Sequence, residues 1–323
     1  MVRGGATDAE IDAAMALLVA NYQWPNSTSP HNYSNDASDL ITAVKNYEMT
    51  PATATWPYQT VNGDQWGLGN TCRNPSYQSP NYYEAYANFM PDQSDFWLNA
   101  KQASYDLINT NAHPTTGLVS NWSDPSGTPN SCNGPDEFGW DACRNPWRMG
   151  IAAAWYSHAD AQAICDKIAN FVNNTGVANL KGPLPQDGST GSYHSPTFIS
   201  TWAVGVMGSN SSFQSTLDAI YTETVAISDP LPYYFGNTLR ALSLFAMTGN
   251  FWNPQTVNTP PTPAAPCKEI VGYYPSWQWY DRAQLVNPQT IDYSKYTVLN
   301  YAFFSPQPDG SINSTDAWAD ENL

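Results

Sequence analysis

Nine consecutive residues, Trp140-Asp141-Ala142-Cys143-Arg144-Asn145-Pro146-Trp147-Arg148, gather one carboxylate, two guanidinium groups and two indoles. A carboxylate near cations keeps its charge at neutral pH and can take a proton from water as a general base. Indole faces offer broad, amphipathic platforms that suit sugar rings. The same residues also fit a plainer reading. Asp141 would then cap a helix and pair with Arg144 three residues on, and both tryptophans would be core. The other elements of the chain bear on the choice between the two.

The spacing predicts a string of helices. Thr7 and Glu10 fit a capping box, Ile11, Met15 and Leu18 follow at helical intervals, and Trp24-Pro25 marks the end. Further helical patterns cover 36–48, 80–90, 95–110, 138–156, 159–173, 196–206, 213–226 and 235–248, separated by polar, aromatic-rich loops at 50–79 and 114–137. No segment before 255 alternates as a strand. The Pro/Thr-rich stretch 256–266 reads as an interdomain linker. Beyond it, Glu269–Tyr274 and Thr297–Phe304 are β-branched and aromatic and read as strands. Residues 1–255 are therefore expected to form one helical domain, with a different unit over 267–323.

Composition narrows the function. Charged residues make up 12% of the 323, against roughly 25% in an average soluble protein, so solubility falls to Asn, Ser, Thr, Gln and Gly. Thirteen Trp and twenty Tyr accompany them. This profile suits a secreted protein that handles a neutral polymer. A net charge of −16 disfavours nucleic acid and anionic membranes as partners. No apolar run approaches the ~18 residues of a membrane span. The five cysteines, Cys72, Cys132, Cys143, Cys165 and Cys267, have no metal-ligand spacing and would allow two disulfides with one thiol left over, in a connectivity that stays open. The four histidines form no zinc motif, and neither a phosphate loop nor a nucleophile elbow is present. Sequons at Asn26, Asn121, Asn174, Asn210 and Asn313 carry little weight in an Asn/Ser-rich chain. No signal peptide opens the chain, and a secreted composition without one implies that the natural N-terminus is missing.

Five pieces in order resemble glycoside hydrolase family 8: Ala6-Thr7-Asp8, Asn74-Pro75-Ser76-Tyr77, Thr116-Gly117-Leu118-Val119, the Trp140–Arg148 segment, and Tyr234-Phe-Gly-Asn-Thr-Leu-Arg240. The resemblance implies an all-α (α/α)6 barrel, here incomplete at its N-terminus. It also implies inverting cleavage of a β-1,4-linked polysaccharide (cellulose, mixed-linkage glucan, chitosan or xylan) and no cofactor. Carried over by position, it makes Asp141 the general base and Arg144 the residue that orients it. Asp8 becomes a central-subsite carboxylate that binds sugar hydroxyls, or else simply caps beside Thr7. Tyr234 or Tyr233 would hydrogen-bond the base or its water. Trp66, Tyr77, Trp122 and Trp140 become candidate sugar platforms, each of which also fits the core.

The chain departs from the family in one respect. The general acid is a glutamate in a Ser-Glu-Gly-like motif before the Ala-Thr-Asp segment, and only seven residues precede Asp8. Such a chain is expected to be a fragment with little or no activity, since general-acid assistance is worth ~10²–10⁴-fold. Val271-Gly-Tyr-Tyr-Pro-Ser-Trp277 and Leu299-Asn-Tyr-Ala-Phe-Phe304 resemble the opening of a family 18 chitinase, so 267–323 reads as the truncated start of a TIM-barrel domain. An endo-β-1,4-glucanase leads this reading, with chitosanase or xylanase of the same family as the alternative. A non-catalytic glycan-binding fragment is the alternative of another class.

Overall fold

The computed structural model describes residues 4–28, 30–65, 71–228, 234–256, 270–280, 287–296, 298–302, 304–307 and 311–322. The chain divides into two units, Met1–Asn258 and Thr259–Leu323. The expected linker falls at this division, but 257–266 lie outside the described residues.

Among the described residues, nine helices build the first unit: α1 (Thr7–Gln23), α2 (Tyr33–Tyr47), α3 (Pro80–Phe89), α4 (Ser94–Asn111), α5 (Asn145–Tyr156), α6 (Ala159–Thr175), α7 (Pro196–Met207), α8 (Gln214–Ala226) and α9 (Tyr234–Met247). Consecutive helices pair as hairpins, α1 with α2, α3 with α4, α5 with α6 and α7 with α8, while α3, α5, α7 and α9 pack side by side. Side-chain chemistry sorts the layers. In α7 every residue from Pro196 to Val206 is buried, as an inner helix requires. In α6 only the stripe Ala161, Ile164, Cys165, Ile168, Ala169 and Val172, with Phe171, is buried, so one face meets α5 and α7 and the other meets solvent.

Small residues let the inner helices approach. A Cβ on Gly150 of α5 would lie 2.0 Å from the Val204 carbonyl oxygen of α7, and one on Gly208 would lie 2.8 Å from Gly150 Cα. Around this crossing Phe138, Phe198 and Trp202 form an aromatic core, with Phe138 and Trp202 stacked at 5.4 Å. A second core joins α1–α4, where Tyr83, Tyr86 and Trp97 pack together and the Tyr86 hydroxyl donates to the Ile11 carbonyl at 2.6 Å.

Two local expectations are corrected. The capping box does not form: Ala6 is the N-cap of α1 and makes no side-chain cap, because Thr7 is drawn into the interior as the first helical residue. The helix expected over 138–156 begins only at Asn145, after a 3₁₀ turn at Ala142–Arg144, since Pro146 fits the first turn of a helix but not its interior. The loops between α2 and α3 and between α4 and α5 are tied by a Cys72–Cys132 disulfide and by reciprocal Arg73–Ser123 backbone hydrogen bonds of 2.7 and 2.9 Å. The second disulfide that the cysteine count allowed is not formed by Cys143 and Cys165, both buried thiols in the core. Cys267 lies outside the described residues.

In the second unit β1 (Val271–Pro275) pairs in parallel with β2 (Val298–Ala302), in register from Val271 opposite Val298 to Pro275 opposite Ala302. The run expected as one strand to Phe304 divides. Phe304 opens β3 (Phe304–Pro306), which pairs antiparallel with β4 (Ile312–Ser314) before the short α10 (Ala317–Asn322). No helix among the described residues is long and apolar enough to cross a membrane.

Candidate active site

Asp141 stands in a turn clamped from beneath by one buried amide. The Asn121 side-chain oxygen accepts from the backbone N–H groups of Gly139, Asp141 and Ala142 at 3.2, 3.1 and 3.0 Å. The clamp needs glycine at 139, because a Cβ there would lie 2.5 Å from the Asn121 amide nitrogen. Above the turn, Asp141 Oδ1 accepts from Arg144 Nη2 at 3.0 Å and from Asn74 Nδ2 at 3.1 Å. Asn74 is itself fixed, since its Oδ1 accepts from the backbone and hydroxyl of Ser76 at 3.0 and 2.7 Å. Both donors reach the same carboxylate oxygen. Oδ2 accepts no hydrogen bond from the described residues and so remains available to a water.

Arg144 joins two carboxylates. Besides Asp141 it pairs through Nη1 with Asp8, at the start of α1, while its guanidinium lies 5.2 Å from the Tyr77 ring centre. One turn further along both partners the pattern repeats. Arg148, buried, makes a two-pronged pair with Asp12 at 3.1 and 3.4 Å and donates through Nε to the Ser76 carbonyl at 2.8 Å. Asp8 and Asp12, like Arg144 and Arg148, are four residues apart and share one helical face. The result is a two-rung ionic ladder that fixes α1 against the Asp141 turn. Burial works against the Arg148 charge, but Asp12 and Tyr82 outweigh it, and the guanidinium pKa rises. Beneath the ladder a cavity of about 360 Å³ opens between α1, α5 and α9, lined mainly by apolar residues such as Met15, Val19, Trp147, Leu239 and Phe251.

Residues 1–249 match the model of a protein family described as glycosyl hydrolases family 8. The chain belongs to glycosyl hydrolase family 8. It is 38% identical over 263 residues to endoglucanase C of Ruminiclostridium cellulolyticum, covering 80% of this chain and 55% of that protein. With endoglucanase A of Acetivibrio thermocellus it shares 34% over 281 residues, covering 83% and 56%. The chain spans about half the length of the curated relatives it matches. Among solved structures, a reducing-end-xylose releasing exo-oligoxylanase superposes with a TM-score of 0.64 at 26% identity, over 77% of this chain and 68% of that one. The helical unit thus has the (α/α)6 barrel fold of the family 8 structures.

Within this family 8 unit, the expected residues separate into three groups. Asp8, Asp141 and Arg144 come together through the ladder and the turn. Trp140, the residue before Asp141, is 47% exposed, with its indole braced by Phe198 at 4.9 Å and flanked by the exposed Tyr193 at 6.3 Å. Tyr77 and Trp122 are corrected as platforms. Both are buried, Tyr77 beneath the Arg144 guanidinium and Trp122 under Gly134, so neither offers an open ring face. Burial, with Asp8 close by, pushes the Tyr77 phenol up to about 12. Tyr234 is 82% exposed at the start of α9 and makes no hydrogen bond to Asp141 among the described residues. Trp66 and Tyr233 lie outside the described residues.

Sequence patterns do not single out Asn74, Asn121 or Asp12 as site residues. Asn121 stands out in the sequence only as a sequon, yet its amide is buried and committed to the turn, so the folded chain does not present it for glycosylation. The signal for Asp12 is its spacing of four from Asp8, which matches that of Arg144 and Arg148.

A carboxyl pair supports the entry to α1. The Glu10 and Glu48 oxygens converge on Gly5, where a Cβ would lie 2.7 and 2.9 Å from them, and Asp64 accepts the backbone N–H groups of Gly4 and Gly5 at 3.0 Å each. Burial, reinforced by Glu10 and Asp64, raises the Glu48 carboxyl to about 8, and burial raises Glu10 as well. The folded state therefore binds the Glu48 proton more tightly than the unfolded chain does. Its contribution is fully present below the ordinary carboxyl range and is lost as pH rises toward about 8. We expect Glu48→Gln to flatten the fall in stability between pH 5 and 8 and to be more stable than the wild type at pH 8 by about 2 kcal/mol. Thermal unfolding across that pH range measures it, and parallel pH profiles for the two proteins would refute it.

Proposed function

We propose that the chain carries the general-base side of an inverting endo-β-1,4-glucanase site. The observation that supports this best is the one-sided anchoring of Asp141. Arg144 and Asn74 hold Oδ1, which leaves Oδ2 without a hydrogen-bond donor among the described residues, one position along the chain from the exposed Trp140. A sugar ring bound here with its anomeric carbon facing Oδ2 would meet a water held on Asp141. The water attacks, Asp141 takes its proton, and the glycosidic bond breaks with inversion. Arg144 keeps the carboxylate aimed and ties it to Asp8, which serves the central sugar. The endoglucanase relatives, at 34–38% identity, favour glucan over the xylan of the exo-oligoxylanase at 28%. Chitosan stays among the substrates to try.

An inverting site also uses a general acid to protonate the leaving oxygen. An activated aryl glycoside separates the two halves of the reaction, because its leaving group departs without protonation. We expect the chain to cleave 2,4-dinitrophenyl β-cellobioside with release of the α-anomer. Retention of configuration, or no cleavage of the activated glycoside, would refute the assignment. The Cys72–Cys132 disulfide supports an oxidising, extracellular destination. The parallel pairing of β1 and β2 supports reading 267–323 as the opening of a family 18-like β/α barrel.

A further inference from the structure

We propose that the outer face of α4 carries a second binding site for a neutral β-1,4-linked polysaccharide strand, apart from the Asp141 site. A groove of about 470 Å³ runs between α4, the turn at 56–59 and the loop at Pro125-Ser126. Its floor is one helical face: Asn99, Gln102, Asp106 and Thr110 follow at intervals of three, four and four, all exposed. These residues span about 16 Å of helix axis, room for a short run of sugar rings. Trp56, 45% exposed, stands over one wall.

The wall is rigid. Thr50 Oγ1 donates to the Trp56 carbonyl at 2.7 Å and accepts from the Gln59 N–H at 2.8 Å, while the Thr50 carbonyl accepts from the Tyr58 N–H at 3.1 Å. Gln59 Nε2 donates to the Pro125 carbonyl at 2.7 Å and so ties the two walls together. Between them Tyr58 sits at φ 59°, a left-handed conformation that is costly for an aromatic residue, with its ring edge-on to Phe96 at 5.3 Å. A strained turn that holds a large indole out to solvent is the arrangement expected of a binding wall rather than of a loop tip.

The lining chemistry selects the ligand. Among the described residues no lysine, arginine or histidine borders the groove, which disfavours anions. Amides, hydroxyls and one carboxylate offer donors and acceptors to sugar hydroxyls, and the indole offers an apolar face to the ring C–H groups. The groove shares no lining residue with the Asp141 site. Identifying the ligand as the family 8 substrate rests on the function proposed above.

The test is adsorption of the chain to phosphoric-acid-swollen cellulose, with affinity electrophoresis through hydroxyethyl cellulose gels. Trp56→Ala and Gln102→Ala are compared with Trp140→Ala, after circular dichroism has shown each to be folded. The expected result is a fivefold to tenfold loss of affinity, roughly, for Trp56→Ala, a smaller loss for Gln102→Ala, and additive losses when Trp56→Ala and Trp140→Ala are combined. Wild-type binding by both α4-face variants, with a loss only in Trp140→Ala, overturns the second site and leaves the proposed function standing. A wild-type chain that binds neither polymer overturns both.

Discussion

Asp141→Asn is expected to lower cleavage of 2,4-dinitrophenyl β-cellobioside by about 10²–10⁴-fold while leaving affinity for cello-oligosaccharides within a factor of about two. The amide keeps the shape of the carboxylate, and Asn121, Asn74 and Arg144 each retain a partner in the turn. It cannot take the proton of the attacking water. The loss should therefore fall on kcat and not on binding. With an activated leaving group the requirement for general-acid assistance does not mask the effect, so kcat and KM for the two proteins decide the matter. A variant with wild-type kcat would remove Asp141 from the role of base. A variant that also lost oligosaccharide binding would make the residue structural.

Asp12→Ala is expected to cost about 3 kcal/mol of stability, the low end of what breaking a buried ion pair costs, and to lower Tm by roughly 6–12 °C. The asymmetry of the pair sets the direction. The Arg148 side chain is 3% exposed and Asp12 53%, so loss of the carboxylate strands a buried guanidinium. That guanidinium retains the Ser76 carbonyl and the Tyr82 ring at 5.5 Å, which keeps the cost at the low end. Adding Arg148→Met to Asp12→Ala should restore part of the stability, since no charge is then left buried. Calorimetry on the wild type and the two variants measures this. A loss below about 1 kcal/mol in Asp12→Ala, or none regained in the double variant, would mean that the lower rung does not hold α1 in place.

Much of this protein is legible in its sequence, and the division is physical. Helix periodicity is a local property, so eight of the nine described helices of the first unit appear in the chain at or near their observed bounds, and α5 begins seven residues later than the pattern implies. The Trp140–Arg148 segment likewise announces its chemistry, because its charged and aromatic groups are close along the chain. Local rules fail where two elements compete for one residue. Thr7 carries a capping signal, but burial against α2 and the Asn62 segment claims it instead. Tyr77 and Trp122 have the residue types of sugar platforms, but whether a ring is open or covered depends on what the chain lays over it. The ladder lies beyond local reading altogether. Asp8 and Arg144, like Asp12 and Arg148, are 136 residues apart, and the Asn121 clamp reaches 18 to 21 residues along the chain to its partners. Sequence alone determined which groups could act as base, ion partner or platform. The tertiary structure decided which of them come together, because hydrogen bonds and ion pairs act over a few ångströms, and only the packing of α1, the Asn74 turn and the Asn121 loop brings those few ångströms about.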